Sequence, residues 1–195
     1  MEISEEKAHE IAMKIEPNYE RLVRKYRYDK YPKDPYDNFK EIFSNLTQEN
    51  NKIEKALIWK WGHWCKKNFP QSHRNLIKEV NDLWPEFIES KVGSDSKNTF
   101  FWWRKRLVKY HRFITVAYLT HLVHHKQIYI IDQHNFRAVN YLIGVGNAKK
   151  KPSNWEDVLL VKDFIEKVCK VMNENDYGKM DRFLMEYGKE VKNSR

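Results

Sequence analysis

The sequence predicts an all-α protein, a compact bundle of about eight helices. Apolar residues recur at helical spacing along most of the 195 residues, and strand-like alternation is almost absent. Glycine and proline number only six each, too few for the many tight turns of a β-sandwich. We therefore expect a single helical domain over residues 1–195, with one lobe formed by residues 1–30 and 135–195 and a second lobe by residues 36–124.

Helix-starting and helix-breaking residues delimit the first half of the chain. Ser4 is expected to cap the first helix, and Pro17 is expected to bend or end it. Residues 30–38 are a predicted connector rich in proline and aspartate, with a short helix directly after it. Further helix starts are expected at Thr47 and Ser72.

The longest predicted helix runs without a break from Asn98 to about His124. One of its faces is apolar, and another carries Lys105, Lys109 and Arg112 at i, i+4 and i+7. A basic stripe of this kind suits a phosphate backbone, and an ordinary solvated helix face is the alternative.

Residues 127–131, QIYII, are predicted to form either a buried loop or one isolated strand. A helix from about residue 135 follows. The later boundaries are a glycine stop at Gly144 and Gly146, a capping box of Ser153 with Glu156, and a last helix start at Asp176.

The chain is strongly basic. Its 36 Lys and Arg residues against 27 Asp and Glu give a formal net charge of +9, which favours a polyanionic partner such as nucleic acid, with a merely basic soluble protein as the alternative. Cys65 and Cys169 form no motif, so we expect neither an iron–sulfur cluster nor a disulfide framework, and a reducing, cytoplasmic location. The acidic N-terminus is not expected to be a signal peptide, and no apolar run reaches the ~20 residues of a membrane span.

The most informative segment joins two predicted helices. The first ends at His124 and His125, an apolar loop follows, and Asp132 stands just before the second helix. The helix dipole and unpaired N–H groups stabilise a carboxylate at this place. Asp132 can therefore be an ordinary N-cap, with His134 in the first turn and Arg137 on the helix surface.

The run IIDQHNFRAV, residues 130–139, resembles the VDTHVxR segment of the helix-hairpin-helix DNA glycosylase superfamily, which includes the endonuclease III and adenine-mismatch glycosylase branches. The order of helix, apolar loop, Asp, His and Arg is the same. The resemblance implies a two-lobed helical fold, duplex DNA as partner, and Asp132 as the catalytic aspartate. It implies that His134 and Arg137 are supporting residues that fix the loop and the next helix.

Two departures from the family pattern define the expected variant. The family's glycine-rich hairpin, LPGVGxxT, corresponds to residues 108–115, which contain no glycine or proline. The side chains expected to contact DNA phosphates instead are Lys105, Lys109, His111 and Arg112. The catalytic lysine of the bifunctional branch falls at Ile114, which cannot form a Schiff base. We therefore expect no lyase activity, unless a shifted alignment makes Lys109 the amine.

The chemistry explains why a carboxylate is needed. Cleavage of an N-glycosidic bond develops positive charge on the sugar, and an ionised Asp132 can stabilise that charge and orient a water molecule. The target base must first leave the stack for an aromatic or apolar pocket. The candidates for that pocket, although a given tryptophan is more often a core residue, are Trp59, Trp61, Trp64, Trp102 and Trp103. Removal of damaged bases and attack on modified foreign DNA both fit this chemistry.

Other interpretations stay open at this point. His121 and His125 at i and i+4, together with Asp132, could hold a metal, although we expect none because no HExxH pattern or paired cysteines are present. A nucleic-acid-binding module without catalysis, or a helical protein-interaction domain, would use the same fold differently. The expected protein is a cofactor-free monomer that binds duplex DNA and no membrane.

Overall fold

The computed structural model describes residues 2–46, 50–108, 112–145 and 151–193. These residues form ten α-helices with short 3₁₀ segments between some of them, and none of them lies in a strand. The helices are α1 (Glu5–Ile15), α2 (Tyr19–Val23), α3 (Lys33–Ser44), α4 (Asn50–Lys60), α5 (Gln71–Glu89), α6 (Ser96–Arg106), α7 (Phe113–Val123), α8 (Gln133–Ile143), α9 (Trp155–Met172) and α10 (Tyr177–Asn193). The predicted all-α class is confirmed.

The chain divides into two compact units. Unit 1 contains residues 1–26 and 128–195, and unit 2 contains residues 27–127. Unit 1 therefore holds the first two helices and the last three, and unit 2 holds α3 to α7. None of the described helices is long and apolar enough to cross a membrane.

The start of unit 1 follows the predicted capping and breaking residues. The Ser4 hydroxyl accepts a hydrogen bond from the backbone N–H of Lys7 at 3.1 Å, which caps α1. The helix ends at Ile15, and the segment containing Pro17 is a 3₁₀ turn before α2 begins. Proline cannot donate the next helical hydrogen bond, so the expected break is confirmed.

Unit 1 is organised around a close approach of two helices. α10 packs along α8 and α2, and α1 packs on α9. A Cβ atom at Gly188 would lie 1.9 Å from the backbone oxygen of His134, so no larger residue fits there without movement of one helix. Glycine inside a helix costs about 1 kcal/mol relative to alanine, and here it permits backbone contact between α10 and the first turn of α8.

Unit 2 is built around α7. This helix is apolar on all sides and is buried along its length except at Ile114, which is half-buried. α3 and α6 pack against it. A second part of the core consists of Trp84, Phe87 and Trp103, whose ring centroids lie 5.1–5.9 Å apart.

The predicted continuous helix from Asn98 to His124 is wrong. α6 ends at Arg106, Leu107 leaves the helical conformation with φ −88° and ψ 63°, and α7 begins at Phe113. Apolar periodicity continues across the break because Leu107 and the residues of α7 are buried in the same unit. Lys105 and Arg112 therefore do not share the face of one helix.

The expected connector at residues 30–38 is wrong from Lys33 onward, because α3 begins at that residue. Pro35 lies in the first turn of α3, where a backbone N–H would have no helical partner, so proline is tolerated there. α5 begins at Gln71, one residue before the predicted start at Ser72. Thr47 lies outside the described residues.

The predicted capping box of Ser153 and Glu156 is displaced by one residue. Asn154 Oδ1 accepts from the Asp157 N–H at 3.0 Å, and Asp157 Oδ2 accepts from the Asn154 N–H at 3.2 Å. The predicted stop at Gly144 is confirmed by its φ of 80°, a conformation that favours glycine. Gly146 lies outside the described residues, and residues 127–131 form a loop rather than a strand.

Candidate active site around Asp132

Asp132 is the N-cap of α8. Its Oδ1 accepts hydrogen bonds from the backbone N–H groups of His134, at 2.6 Å, and Asn135, at 3.0 Å. Its own N–H donates to Asn135 Oδ1 at 2.7 Å, which completes a capping box. The side chain is half-buried. The capping interpretation is thus confirmed, and these bonds hold the carboxylate in one orientation.

Asn135 ties this loop to two helices. Its side chain is fully buried, and its Nδ2 donates to the Ile130 carbonyl at 2.7 Å and to Asp181 Oδ1 at 3.0 Å. The amide thus uses both its oxygen and its nitrogen within unit 1, so that the loop, α8 and α10 are joined at one residue. Ile130 and Ile131 are buried and anchor the loop from the other side of Asp132.

His134 and Arg137 lie together in the first turns of α8. The Arg137 guanidinium donates to the Gly188 carbonyl at 3.0 Å and lies 3.3 Å from His134 Nδ1. Burial is the main cause that lowers the pKa of His134, with Arg137 acting in the same direction and Asp132 against it. The ring is therefore neutral at pH 7. Because arginine only donates, Nδ1 accepts and the ring proton is on Nε2.

Asp132, His134 and Arg137 are thus brought together, with three residues that sequence reasoning missed: Asn135, Asp181 and Gly188. Gly188 carried a detectable signal, since a glycine in the middle of an amphipathic helix has a packing reason more often than not. Asn135 stands inside the IIDQHNFRAV run, but nothing in its local sequence indicates the partner on α10. No local pattern marks Asp181.

The basic residues predicted to contact DNA belong to unit 2 and differ among themselves. Lys105 is exposed, and no acidic partner for it is found in the described parts of the chain. Arg112 is only 6% exposed and forms an ion pair with Glu79 of α5, so it is a structural residue and its assignment to phosphate binding is corrected. Lys109 and His111 lie outside the described residues.

Two of the tryptophans considered for a base pocket are core residues. Trp103 has no exposed surface. Trp59 is 4% exposed, stacks on Tyr36 with ring centroids 4.5 Å apart, and donates from Nε1 to the Pro32 carbonyl at 2.9 Å. Neither ring can receive a base in this conformation, so both assignments are corrected.

The remaining tryptophans keep different amounts of exposed surface. Trp61 and Trp64 are half-buried, and Trp61 stacks on His73 at a centroid distance of 4.1 Å. Trp102 is buried, and the Arg106 guanidinium lies 3.7 Å from its ring centroid. Trp61 and Trp64 are thus the members of the set that can still present a ring to a ligand.

The two histidines considered as metal ligands differ in their contacts. His121 Nε2 lies 2.6 Å from the Tyr36 hydroxyl, whereas Nδ1 of His125 is buried and has no hydrogen-bond partner among the described residues. The neighbouring His124 has its Nε2 2.9 Å from Thr99 Oγ1. Within the residues that the structure describes, no group of three or more His, Cys, Asp or Glu side chains is placed to hold a metal ion.

No protein-family model, curated protein or solved structure matches the chain. The likeness to the glycosylase superfamily therefore depends on residues 130–139 and on the order of elements around them.

Proposed function

We propose that the protein is a monofunctional DNA glycosylase in which Asp132 promotes hydrolysis of an N-glycosidic bond. The observation that carries this proposal is the half-buried Asp132 carboxylate, held by two backbone N–H groups at the start of α8. The order of a helix (α7), a buried apolar loop, Asp132 and then α8 with His134 and Arg137 is the order on which the resemblance depends.

The fixed carboxylate suits an electrostatic role. As the bond between C1′ and the base breaks, its electron pair leaves with the base and positive charge develops on the sugar. A carboxylate whose orientation is already set stabilises that charge without reorganisation. Water then adds to C1′ and loses a proton to Asp132 or solvent, the departing base takes up a proton from solvent, and the product is an abasic site.

The distribution of charge supports DNA as the partner. Unit 2 contains 19 Lys and Arg residues against 11 Asp and Glu, a formal charge of +8 out of the +9 of the whole chain. Exposed Lys105 belongs to this unit. A surplus of positive charge concentrated in 101 residues favours a polyanionic partner more strongly than the same surplus spread along the chain.

The test is base excision on a panel of duplex oligonucleotides that carry modified or mismatched bases. Abasic products are revealed as strand breaks after alkali treatment. We expect Asp132→Asn to lower the excision rate by about 100-fold or more. Asp95→Asn is the matched control, because Asp95 is also an N-cap that accepts a backbone N–H, from Asn98 at 2.7 Å. Asparagine caps helices as well as aspartate, so both variants should fold.

Full activity in Asp132→Asn would exclude the assigned role, and equal losses in the two variants would indicate an effect on folding. Strand breaks should require alkali, because Ile114 supplies no amine for a lyase step. Breaks without alkali that disappear in Lys109→Gln would instead identify Lys109 as a lyase amine.

A second candidate is a nucleic-acid-binding module without catalysis. One observation favours it: the capping box alone accounts for an aspartate at position 132. This candidate predicts salt-sensitive DNA binding, no abasic product on any member of the panel, and unchanged binding in Asp132→Asn.

A further inference from the structure

Unit 2 carries an unusual group of rings between α4 and α5. Trp61 stacks on His73 at 4.1 Å, His63 lies 5.2 Å from His73 and 6.0 Å from Phe69 between ring centroids, and the Arg74 guanidinium lies 4.6 Å from the Phe69 centroid. We call these five residues the ring cluster. Its four rings are half-buried and Arg74 is exposed, so the cluster faces solvent.

In the sequence around the ring cluster, all charged residues are basic. Residues 55–78 contain six Lys and Arg and no Asp or Glu. Lys66, Lys67 and Arg74 are exposed, and the described residues provide no acidic partner for any of the three. By contrast, Lys78 at the end of this stretch pairs with Asp82 at 2.6 Å.

The two imidazoles of the cluster behave as neutral aromatic rings. Both nitrogens of His63 and Nδ1 of His73 are buried and make no hydrogen bond within the described parts of the chain. Burial lowers the pKa of each histidine, with Lys66 adding to the effect on His63 and His63 to the effect on His73. At pH 7 the rings therefore provide flat, uncharged surfaces next to fixed positive charges.

We propose that the ring cluster, together with Lys66 and Lys67, binds unpaired nucleotides of a DNA strand. Aromatic rings stack on bases irrespective of sequence, and neighbouring cations neutralise the phosphates. The phosphates of a duplex could contact the cations, but its paired bases could not stack on the rings. An acidic peptide could likewise contact the cations, but it has no base to stack. This inference goes beyond the proposed function, because it requires neither Asp132 nor a modified base.

The test is the binding of fluorescein-labelled oligo-dT, 15 nucleotides long, measured by anisotropy over a range of salt concentrations. Replacing Lys66, Lys67 and Arg74 by Gln should raise Kd by about tenfold or more and reduce the salt slope by about 2, since each lost phosphate contact in single-stranded DNA removes roughly 0.7. The matched control replaces three other exposed lysines of unit 2, Lys91, Lys97 and Lys126, by Gln; none of them has an acidic partner among the described residues. It removes the same net charge and should change Kd by less than about threefold.

Stacking is tested separately. Phe69→Ala should raise Kd by roughly fivefold or more. Phe69→Tyr should bind like the wild type, because tyrosine keeps the aromatic ring. Quenching of tryptophan fluorescence by oligo-dT should be reduced in Trp61→Phe, which gives a second readout that does not depend on Phe69. Far-UV circular dichroism and urea midpoints show whether each variant folds.

Equal losses in the two triple variants would overturn the proposal, because net charge alone would then explain binding. So would a preference for unmodified duplex over oligo-dT, or competition by poly-glutamate as strong as by unlabelled oligo-dT. Asp132→Asn should bind oligo-dT like the wild type. A negative result in the excision assay therefore does not bear on oligo-dT binding. A negative result in the oligo-dT assay does not bear on base excision.

Discussion

The two units of the molecule differ in how they use charge. Unit 1 has 17 Lys and Arg residues against 16 Asp and Glu, and unit 2 has 19 against 11. In unit 1 the charges form pairs between helices, for example Arg21 and Lys25 with Glu190 at 3.1 and 2.6 Å. In unit 2 several exposed cations, among them Lys66, Lys67 and Lys105, have no acidic partner in the described residues. Ion pairs also occur in unit 2, for example Arg106 with Glu86 and Lys78 with Asp82, so the units differ mainly in net charge, which is concentrated in unit 2.

Tryptophan and histidine are also unevenly divided between the units. Six of the seven tryptophans and six of the eight histidines belong to unit 2. Unit 1 instead fixes one carboxylate, Asp132, through backbone and amide hydrogen bonds. We therefore propose a division of labour in which unit 2 supplies binding surface and unit 1 supplies a rigid functional group.

The stability of unit 1 should depend most on Gly188. Gly188→Ala places a methyl group where the His134 carbonyl already lies, so we expect a loss of about 3 kcal/mol in the free energy of unfolding, measured with urea. Gly178→Ala in the same helix is the control, since a Cβ there meets only the flexible side chains of Asp176 and Arg182. It should stay within about 1 kcal/mol of the wild type. Equal stability of the two variants would contradict the close approach of α10 and α8.

Within unit 2, the structure separates a structural arginine from a surface lysine. Arg112→Ala breaks a pair with Glu79, whose side chain is 36% exposed and can regain water, so we expect a loss of about 2 kcal/mol in unfolding free energy. Lys105→Ala should change unfolding free energy by less than about 0.5 kcal/mol. A coupling energy near zero in a double-mutant cycle with Glu79→Gln would show that Arg112 is not held by Glu79.

Acid should weaken unit 2 more than unit 1. Burial lowers the pKa of His63, His73, His124 and His125 in unit 2, and of His134 alone in unit 1. A histidine whose folded pKa lies below the unfolded value of about 6.5 binds its proton first in the unfolded chain. Stability is therefore intact above pH 6.5 and falls as the pH drops below it. Urea unfolding followed by tryptophan fluorescence reports mainly on unit 2 and should show this decrease.

The control for the pH prediction is His124→Gln, which removes one buried imidazole bonded to Thr99. Its urea midpoint should change less between pH 7 and pH 5 than that of the wild type. An unchanged midpoint of the wild type over the same range would show that these histidines do not resist protonation.

The smallest expected effect is on DNA affinity. Lys105→Gln should weaken binding of duplex DNA a few-fold and lower the salt slope by about 0.9, the value of one phosphate contact. Arg112→Gln also removes one positive charge but should leave the slope unchanged, because residue 112 is buried and paired with Glu79. If the slope fell only in the Arg112 variant, the roles assigned to these two residues would have to be exchanged.

The sequence predicted the helical class and most helix starts, because Ser4, Pro17 and Asp132 act through local backbone chemistry. It missed the break at Leu107, since apolar spacing continues when two helices bury residues in one core. It also could not separate buried Arg112 from exposed Lys105, because a buried cation is recognised by its partner and Glu79 is 33 residues away. The contacts of Asn135 and Arg137 with α10 were likewise invisible, since they join positions about 50 residues apart.

The most direct test of the division between the units is to measure excision rate and DNA affinity on the same preparation of Asp132→Asn. We expect the rate to fall by about 100-fold or more while Kd for duplex DNA stays within about threefold of the wild type. A variant that excises bases at the wild-type rate, or one that loses rate only in proportion to lost binding, would contradict the assignment of chemistry to Asp132 in unit 1.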